Sequence, residues 1–485
     1  MDLIIHHAKL PGREGLYAIG VLDGVIARLE QTQQGDGWLE GAQPAGGLTD
    51  HPGMAGSPSE AGRLSAADCM SAMGSLNTAD IMSEADRVHW PEASSVFDAE
   101  GGLLLPGFVE PHIHLDKAEL LGRMPSDAGS LQEAIRMTAE MKRGFTREDI
   151  RQRSLSVLNR AIRSGVTHMR CHAEVDPILG LTAVEAALEL KEQVRELLDL
   201  QVVVFPQEGI MASPGTAELM EEALRMGGDV VGGIPYQDGD AAAHIEHVFS
   251  LAQRYGKPLD FHVDFSDHPE QLDILTIADR TIAAGMEGRV AAGHVTSLGS
   301  VPLEAAARAA SLISRAGISV MCLPQTDLYL GGRGDKEHPR RGLTPVKLLQ
   351  EHGVNVVIGV NNVRNPFTPF GTADPLEAGW LLASTAYMGS DEDARRVLHM
   401  LTHGAAQAIG AEEYGVRLGA NADLVLLPSR DERSALLDRP ARRAVWKRGR
   451  LTAETIVQSY TYGLGRQAQG AEMPERQAEP IYIQP

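Results

Sequence analysis

The pattern of apolar and polar positions divides the chain into three unlike stretches. At the start, short apolar runs separated by turn residues (Leu3-Ile4-Ile5, Tyr17-Ala18-Ile19, and Gly24-Val25-Ile26 after Asp23) predict strands of a small β unit. From Gln31 to Ser94 the periodicity is lost: Gly, Ala, Ser and Met dominate, Pro44, Pro52 and Pro58 interrupt, and no Lys occurs. A segment of that composition buries too little apolar surface to order itself, so 31–94 reads as a disordered insertion in the β unit. After Ser95, apolar runs of strand length alternate with stretches of helical periodicity. Strands are predicted at 103–114, 166–175, 202–206, 229–235, 259–265, 289–294, 318–323 and 354–359, with helices such as 183–198, 217–226 and 303–315 between them. Eight strands, each followed by a helix, predict an α/β fold of the closed, distorted (β/α)8 barrel type. No GxGxxG follows the first strand, which argues against an open dinucleotide-binding sheet. A helical stretch at 392–409 then yields to strands at 423–427 and 443–447. The two chain ends are therefore expected to build one small composite β-sandwich domain, from 1–100 and 413–485, around a barrel at 101–412.

Composition narrows the function. With 485 residues there is room for one large barrel and a small companion, and 43% apolar with 22% charged residues is ordinary for a globular enzyme. A formal net charge of −21 repels phosphate backbones and acidic lipid, so neither nucleic acid nor a membrane is an expected partner. No run approaches the roughly 20 apolar residues of a membrane span. The start, MDLIIHHAKL, lacks the features of a signal peptide. Cys69, Cys171 and Cys322 lie far apart, so no disulfide framework is expected and a reducing, cytoplasmic location fits.

In such a barrel the reactive groups sit at the C-terminal strand ends. The first strand ends His112-Ile113-His114, and alternation puts both imidazoles on one side. The fifth ends His262-Val263-Asp264, again with two polar groups on one face, and the sixth ends at His294. Their joint placement predicts a metal site, and imidazole donors with an open position suit zinc or iron and water activation. The fourth strand has no Lys to carry a carbamate bridge, so one divalent ion is expected rather than two. The HxE…PCxxC signature of cysteine-ligated zinc deaminases is absent.

The segment 105–116, LPGFVEPHIHLD, resembles the first-strand motif of the amidohydrolase superfamily, most closely its cytosine deaminase-like branch. The resemblance continues through THMRCHAEVD (167–176), FPQEG (205–209), FHVD (261–264) and His294. It then takes in Gly332-Arg333, Arg340-Arg341-Gly342, NPFTPFGT (365–372) and Thr402-His403. It implies one metal ion held by His112, His114 and His262, His294 orienting the water or the tetrahedral intermediate, and Gln207 hydrogen-bonding a ring amide. It also implies a small heterocyclic substrate and, since many barrels of that family associate, a homo-oligomer.

Two positions depart from the family. Its deaminases carry on the eighth strand an Asp that binds the metal and accepts the water's proton, and here that position is Asn361. An amide oxygen donates weakly to a metal and is no base at neutral pH. Three residues after the fifth-strand His they carry a proton-shuttling Glu, and here it is Phe265. Three readings stay open. Nearby carboxylates replace the lost ones, Asp264 first and Asp327 after it; or a C–N bond other than that of a base is hydrolysed; or the barrel binds a related heterocycle without turnover. The expectation is a metal-dependent amidohydrolase with His294 and Asp264 catalytic, His112, His114, His262 and Asn361 at the metal, and Gln207 at the substrate. Arg333, in a basic Gly-rich loop with Lys336, Arg340 and Arg341, is expected to pair with an anionic substrate group.

Other polar residues read as structural. His244 and His247 form a solvated helical patch, His6-His7 lie at the surface of the β domain, and Cys171 and Cys322 are small buried hydrophobes. His172 and Glu174, on one face of the second strand, support the pocket from behind.

Overall fold

A computed structural model of the chain describes residues 1–32 and 93–459. The segment 33–92, on which the expectation of disorder falls, lies outside the described residues, as does the tail from 460.

The first sheet holds β1 (Leu3–Ala8), β2 (Leu16–Leu22), β3 (Val25–Thr32) and β4 (Ser95–Asp98) in the order β3-β2-β1-β4. β5 (Leu103–Pro106) belongs to a second sheet, completed from the far end of the chain. The barrel follows: β6 (Phe108–His114), β7 (Val166–Glu174), β8 (Asp199–Phe205), β9 (Val230–Gly233), β10 (Leu259–Val263), β11 (Val290–His294), β12 (Ser319–Cys322) and β13 (Val356–Ile358). These eight pair in parallel, each beside the next, with helices between them. β14 (Leu424–Leu427), β15 (Ala444–Lys447) and β16 (Arg450–Glu454) then join β5 in the order β16-β15-β14-β5. Ile5, Ile19 and Ile26 of the first sheet pack against Leu104, Leu424, Leu426 and Trp446 of the second, so the two ends of the chain form one sandwich.

The predicted first strand (103–114) is two strands in different sheets. Gly107 divides them: a Cβ there would land on the Thr167 side chain, so glycine lets β6 pass close against β7. The predicted helix 392–409 is likewise two, Asp391–Leu401 and His403–Ile409, broken at Thr402 with φ −126° and ψ −100°. The barrel helices begin where polar caps allow: Thr146 Oγ accepts from the Asp149 amide and Asp240 from Ala243.

The barrel closes at its first strand. Asn361, just after β13, donates its backbone N–H to the His112 carbonyl and accepts from the His114 N–H, both at 2.8 Å. Its φ of +65° is a conformation that asparagine tolerates better than most residues. Beneath it, the buried Glu110 carboxyl accepts from the amides of His112 and Val360, and burial raises it to about 8. The sandwich is pinned to the barrel floor by Lys447, whose buried ammonium reaches Asp199 and Asp423, each at 2.7 Å.

Candidate active site

Strand alternation sends His112 and His114 to the barrel interior, and β10 brings His262 to meet them. His112 Nε2 lies 3.0 Å and His114 Nε2 2.9 Å from His262 Nε2. Ligand nitrogens about 2.0–2.1 Å from a tetrahedral zinc stand roughly 3.3 Å apart, so a slight spreading of the rings makes room for one ion. Burial holds all three below the ordinary histidine range, His112 down to about 3 and the other two well below it, so they are neutral and able to ligate.

A second layer holds these rings. His172 packs on His112 with ring centroids 4.1 Å apart and lies 3.2 Å from the Asp260 carboxylate. The same carboxylate stands 3.7 Å from His112 Nδ1 and accepts from Arg170 at 3.0 Å. Though buried, Asp260 is held well below the usual carboxylate range by His172, His112 and Arg170. His172 thus backs the pocket through Asp260, while Glu174 meets Lys117 at 2.8 Å and Lys142 at 3.1 Å.

His294 ends β11, and its Nδ1 lies 2.6 Å from Asp327 Oδ1, while Asp327 Oδ2 accepts from the Leu323 amide at 3.1 Å. Burial pushes Asp327 upward and the His294 contact pulls it back. Phe265 stacks flat on the His294 ring, centroids 3.9 Å apart and planes 8° from parallel. Phe265 therefore fixes the imidazole sterically.

The structure does not bring every expected residue to this pocket. His114, His262, His294, Asn361, Gln207 and Phe265 line it. Asp264 does not: β10 ends at Val263, and a φ of +52° breaks the alternation that would have kept Asp264 on the His262 face. Its carboxyl instead accepts from the amides of Asp273 and Ile274, and burial raises it to about 8. Arg333 is absent from the lining as well, its guanidinium bonding the carbonyls of Tyr329 and Ala128 and lying 4.4 Å over the Tyr329 ring. Asn361 Oδ1 is buried with no hydrogen-bond partner, which suits an atom facing a ligand.

Among the residues expected to be structural, His244 is no solvated residue. It is fully buried, accepts the Ile234 amide at Nε2 and meets Asp238 at Nδ1, at 2.8 and 2.6 Å. His6 and His7 sit in β1 beside Asp98, partly exposed. Cys171 and Cys322 are buried, which raises both thiols.

Sequence reasoning missed Lys117. Its ammonium is buried beside the pocket, bonded to Glu174 and, at 2.6 Å, to Gln207 Oε1. Its position directly after His114-Leu115-Asp116 was the available signal. Tyr236 and Asn362, also in the lining, follow the ends of β9 and β13 with no motif of their own, whereas Phe367 lies within the NPFTPFGT segment, where no role was expected of it.

A sequence model of the amidohydrolase family matches residues 134–453. N-isopropylammelide isopropyl amidohydrolase of Pseudomonas sp. (strain ADP) is 29% identical over 369 residues, 74% of this chain and 88% of that one. Pterin deaminase of Rhizobium rhizogenes is 28% identical over 364 residues, 74% of this chain and 82% of its own length. Among solved structures, 5-methylcytosine deaminase from Klebsiella pneumoniae liganded with phosphonocytosine superposes with a TM-score of 0.79 at 29% identity, over 94% of this chain and 100% of that one. Among the described residues no helix is long and apolar enough to cross a membrane.

Proposed function

The chain belongs to the amidohydrolase family, and from that premise we propose that it hydrolyses a carbon–nitrogen bond of a small nitrogenous ring. One divalent ion, zinc or iron, would be held by His112, His114 and His262, with Asn361 a weak neutral fourth donor. The observation that carries this reading is the meeting of two neutral imidazole Nε2 atoms within 3.0 Å of a third at the end of a barrel. When bound there, the ion supplies Lewis acidity and a water of lowered pKa.

The remaining steps fall to the chain. Asp327 takes the His294 Nδ1–H, which leaves Nε2 as the acceptor and lets it receive the water's proton. The same nitrogen returns that proton to the departing amine or ammonia. Phe265 keeps the ring in plane and excludes water from its face. Gln207 reads the heterocycle through its amide. This route dispenses with both missing carboxylates, because His294 with Asp327 does the shuttling that a glutamate in place of Phe265 would do, and Asn361 is left no proton to carry.

A second reading, a barrel that binds such a ring without turnover, draws on the lack of any carboxylate among the pocket-lining residues. Metal analysis and a screen for amine release separate the two. About one equivalent of zinc or iron in the wild type, lost in the His112→Ala, His114→Ala variant, together with turnover of any ring supports the hydrolase. Metal without turnover across the screen supports the binder, and persistent absence of metal after reconstitution sinks the site. We also place the protein in the cytoplasm as a homo-oligomer; support for the location is two buried, unpaired cysteines and an acidic chain.

A further inference from the structure

Gln207 has two ways to face a ligand, as an oxygen acceptor or as an N–H₂ donor, and the two differ by a flip of the amide. The surroundings settle which. Lys117 Nζ lies 2.6 Å from Gln207 Oε1, and an ammonium has only donors to offer. A flipped amide would set N–H against N–H at that distance inside a buried site. Lys117 cannot move off, since its second bond goes to Glu174, buried in turn and bonded to Lys142. Its ammonium also lies over Phe367, 4.6 Å from the ring centroid. Gln207 is 4% exposed, so the pocket is the one place its amide nitrogen can be used, and no described residue accepts from that nitrogen.

A chain with 65 acidic residues places none of them in this pocket. Asn362 accepts from Asn365 at 2.7 Å and donates to Thr326 Oγ1 at 3.3 Å, so both ends of its amide are already held by the protein. Acceptors face the pocket elsewhere, Asn361 Oδ1 and the His294 ring, and the Lys117 charge is balanced by Glu174, so the selection for a carbonyl is set at the Gln207 amide itself.

From this we propose that Lys117 is a positioning and specificity-determining residue, which locks Gln207 as a donor and makes the site select a carbonyl-bearing ring, such as a cyclic imide or ureide or its anion, over a ring that presents amino groups. The inference rests on the hydrolase reading only for the location of the site, and its test needs no turnover.

The experiment is calorimetric titration of the full-length, zinc-loaded protein with barbiturate, uracil and 2,4,6-triaminopyrimidine, three six-membered rings of opposite hydrogen-bond character. Barbiturate carries carbonyls and a negative charge, and uracil carries carbonyls alone. In the wild type barbiturate is expected to bind at least about tenfold more tightly than triaminopyrimidine, the scale of a buried, charge-assisted hydrogen bond. Uracil falling with barbiturate assigns the selection to carbonyls; uracil falling between the two assigns part of it to charge. In Lys117→Met the amide is free to flip, so barbiturate is expected to lose about tenfold while triaminopyrimidine gains. A merely structural lysine would not reverse the order of ligands. Should Lys117→Met fail to fold, Gln207→Leu, which keeps the Lys117–Glu174 pair, is expected to lose the same preference. Equal or inverted preference in the wild type, binding of none of the three rings, or an unchanged preference in the folded variants would overturn the proposal. Preference for the carbonyl rings with no hydrolysis in a wide screen would fell the hydrolase reading alone. Hydrolysis with the opposite preference would fell this inference alone.

Discussion

Replacing Asp327 by asparagine is the sharpest test of how the site handles protons. Both oxygens of the buried Asp327 carboxylate are in use, Oδ1 toward His294 Nδ1 at 2.6 Å and Oδ2 toward the Leu323 N–H at 3.1 Å. An amide of the same shape can accept at only one of these two positions, since its nitrogen is a donor. If its oxygen keeps the Leu323 N–H, its nitrogen faces His294 Nδ1, which must then give up its proton and leave Nε2 protonated. The nitrogen that should accept from water becomes a donor. If the amide is reversed, the Leu323 N–H is left unmet in a dry environment, at about 1–3 kcal/mol. Loss of a positioned general base slows a reaction roughly 10²–10⁴-fold, which corresponds to about 3–5 kcal/mol of barrier. The activity of Asp327→Asn should therefore fall by more than its stability. The assay is release of ammonia or amine from whichever ring the zinc-loaded wild type turns over, followed as kcat/KM against pH. Histidine-selective ¹⁵N NMR would report the His294 tautomer, identified by its loss in His294→Gln. A variant within about threefold of wild type, with Nε2 still unprotonated, would refute the proton route.

Three further outcomes follow from the packing. Lys142→Met removes a fully buried ammonium that holds Glu174, Asp176 and Glu208 at 3.1, 2.7 and 2.6 Å, and should cost about 3–5 kcal/mol in urea unfolding; a loss below about 1 kcal/mol would show the cluster relaxes. Asp238 would be raised by its burial, but His244 and the amides of residues 210–212 hold its carboxyl well below the usual range. Its contribution is therefore complete above about pH 4 and is lost as pH falls further, so the melting temperature of Asp238→Asn should drop less steeply than that of wild type over that acid window. Gly107→Ala drives a methyl into Thr167 and should destabilise by about 1–3 kcal/mol in denaturant melts, an effect that Thr167→Ala in the same chain should relieve.

Much of this was readable from the chain. Parallel strands buried on both faces appear as continuous apolar runs, which is why the seven barrel strands from β7 to β13 fall where the runs are. The first run misled, because 103–114 is apolar throughout and only the close approach at Gly107 shows that it turns from one sheet into another. His112, His114 and His262 could be grouped because strand alternation is a strict rule within a strand. Asp264 escaped the rule by lying one residue past the strand end, where φ is free to change sign. Arg333 and Lys117 fail and succeed for a shared reason: a long cation's destination depends on which carbonyls and carboxylates surround it, and no spacing encodes that. His244 shows the same limit, since its partners, the Asp238 carboxylate and the Ile234 amide, are gathered by a loop.

The residue that closes the barrel has one more consequence. At Asn361 the scaffold uses only the main chain, two backbone hydrogen bonds to the first strand, and leaves the side chain to the pocket. The left-handed backbone there excludes branched and bulky side chains but accepts asparagine and aspartate with similar ease. Those two differ by a single atom in an otherwise identical shape. The fold thus acts as a filter on heredity: it admits a toggle between a charged and a neutral group at the mouth of the site while screening out nearly every other change. A lineage could cross between two chemistries at this position in one nucleotide step, with no intermediate that fails to fold.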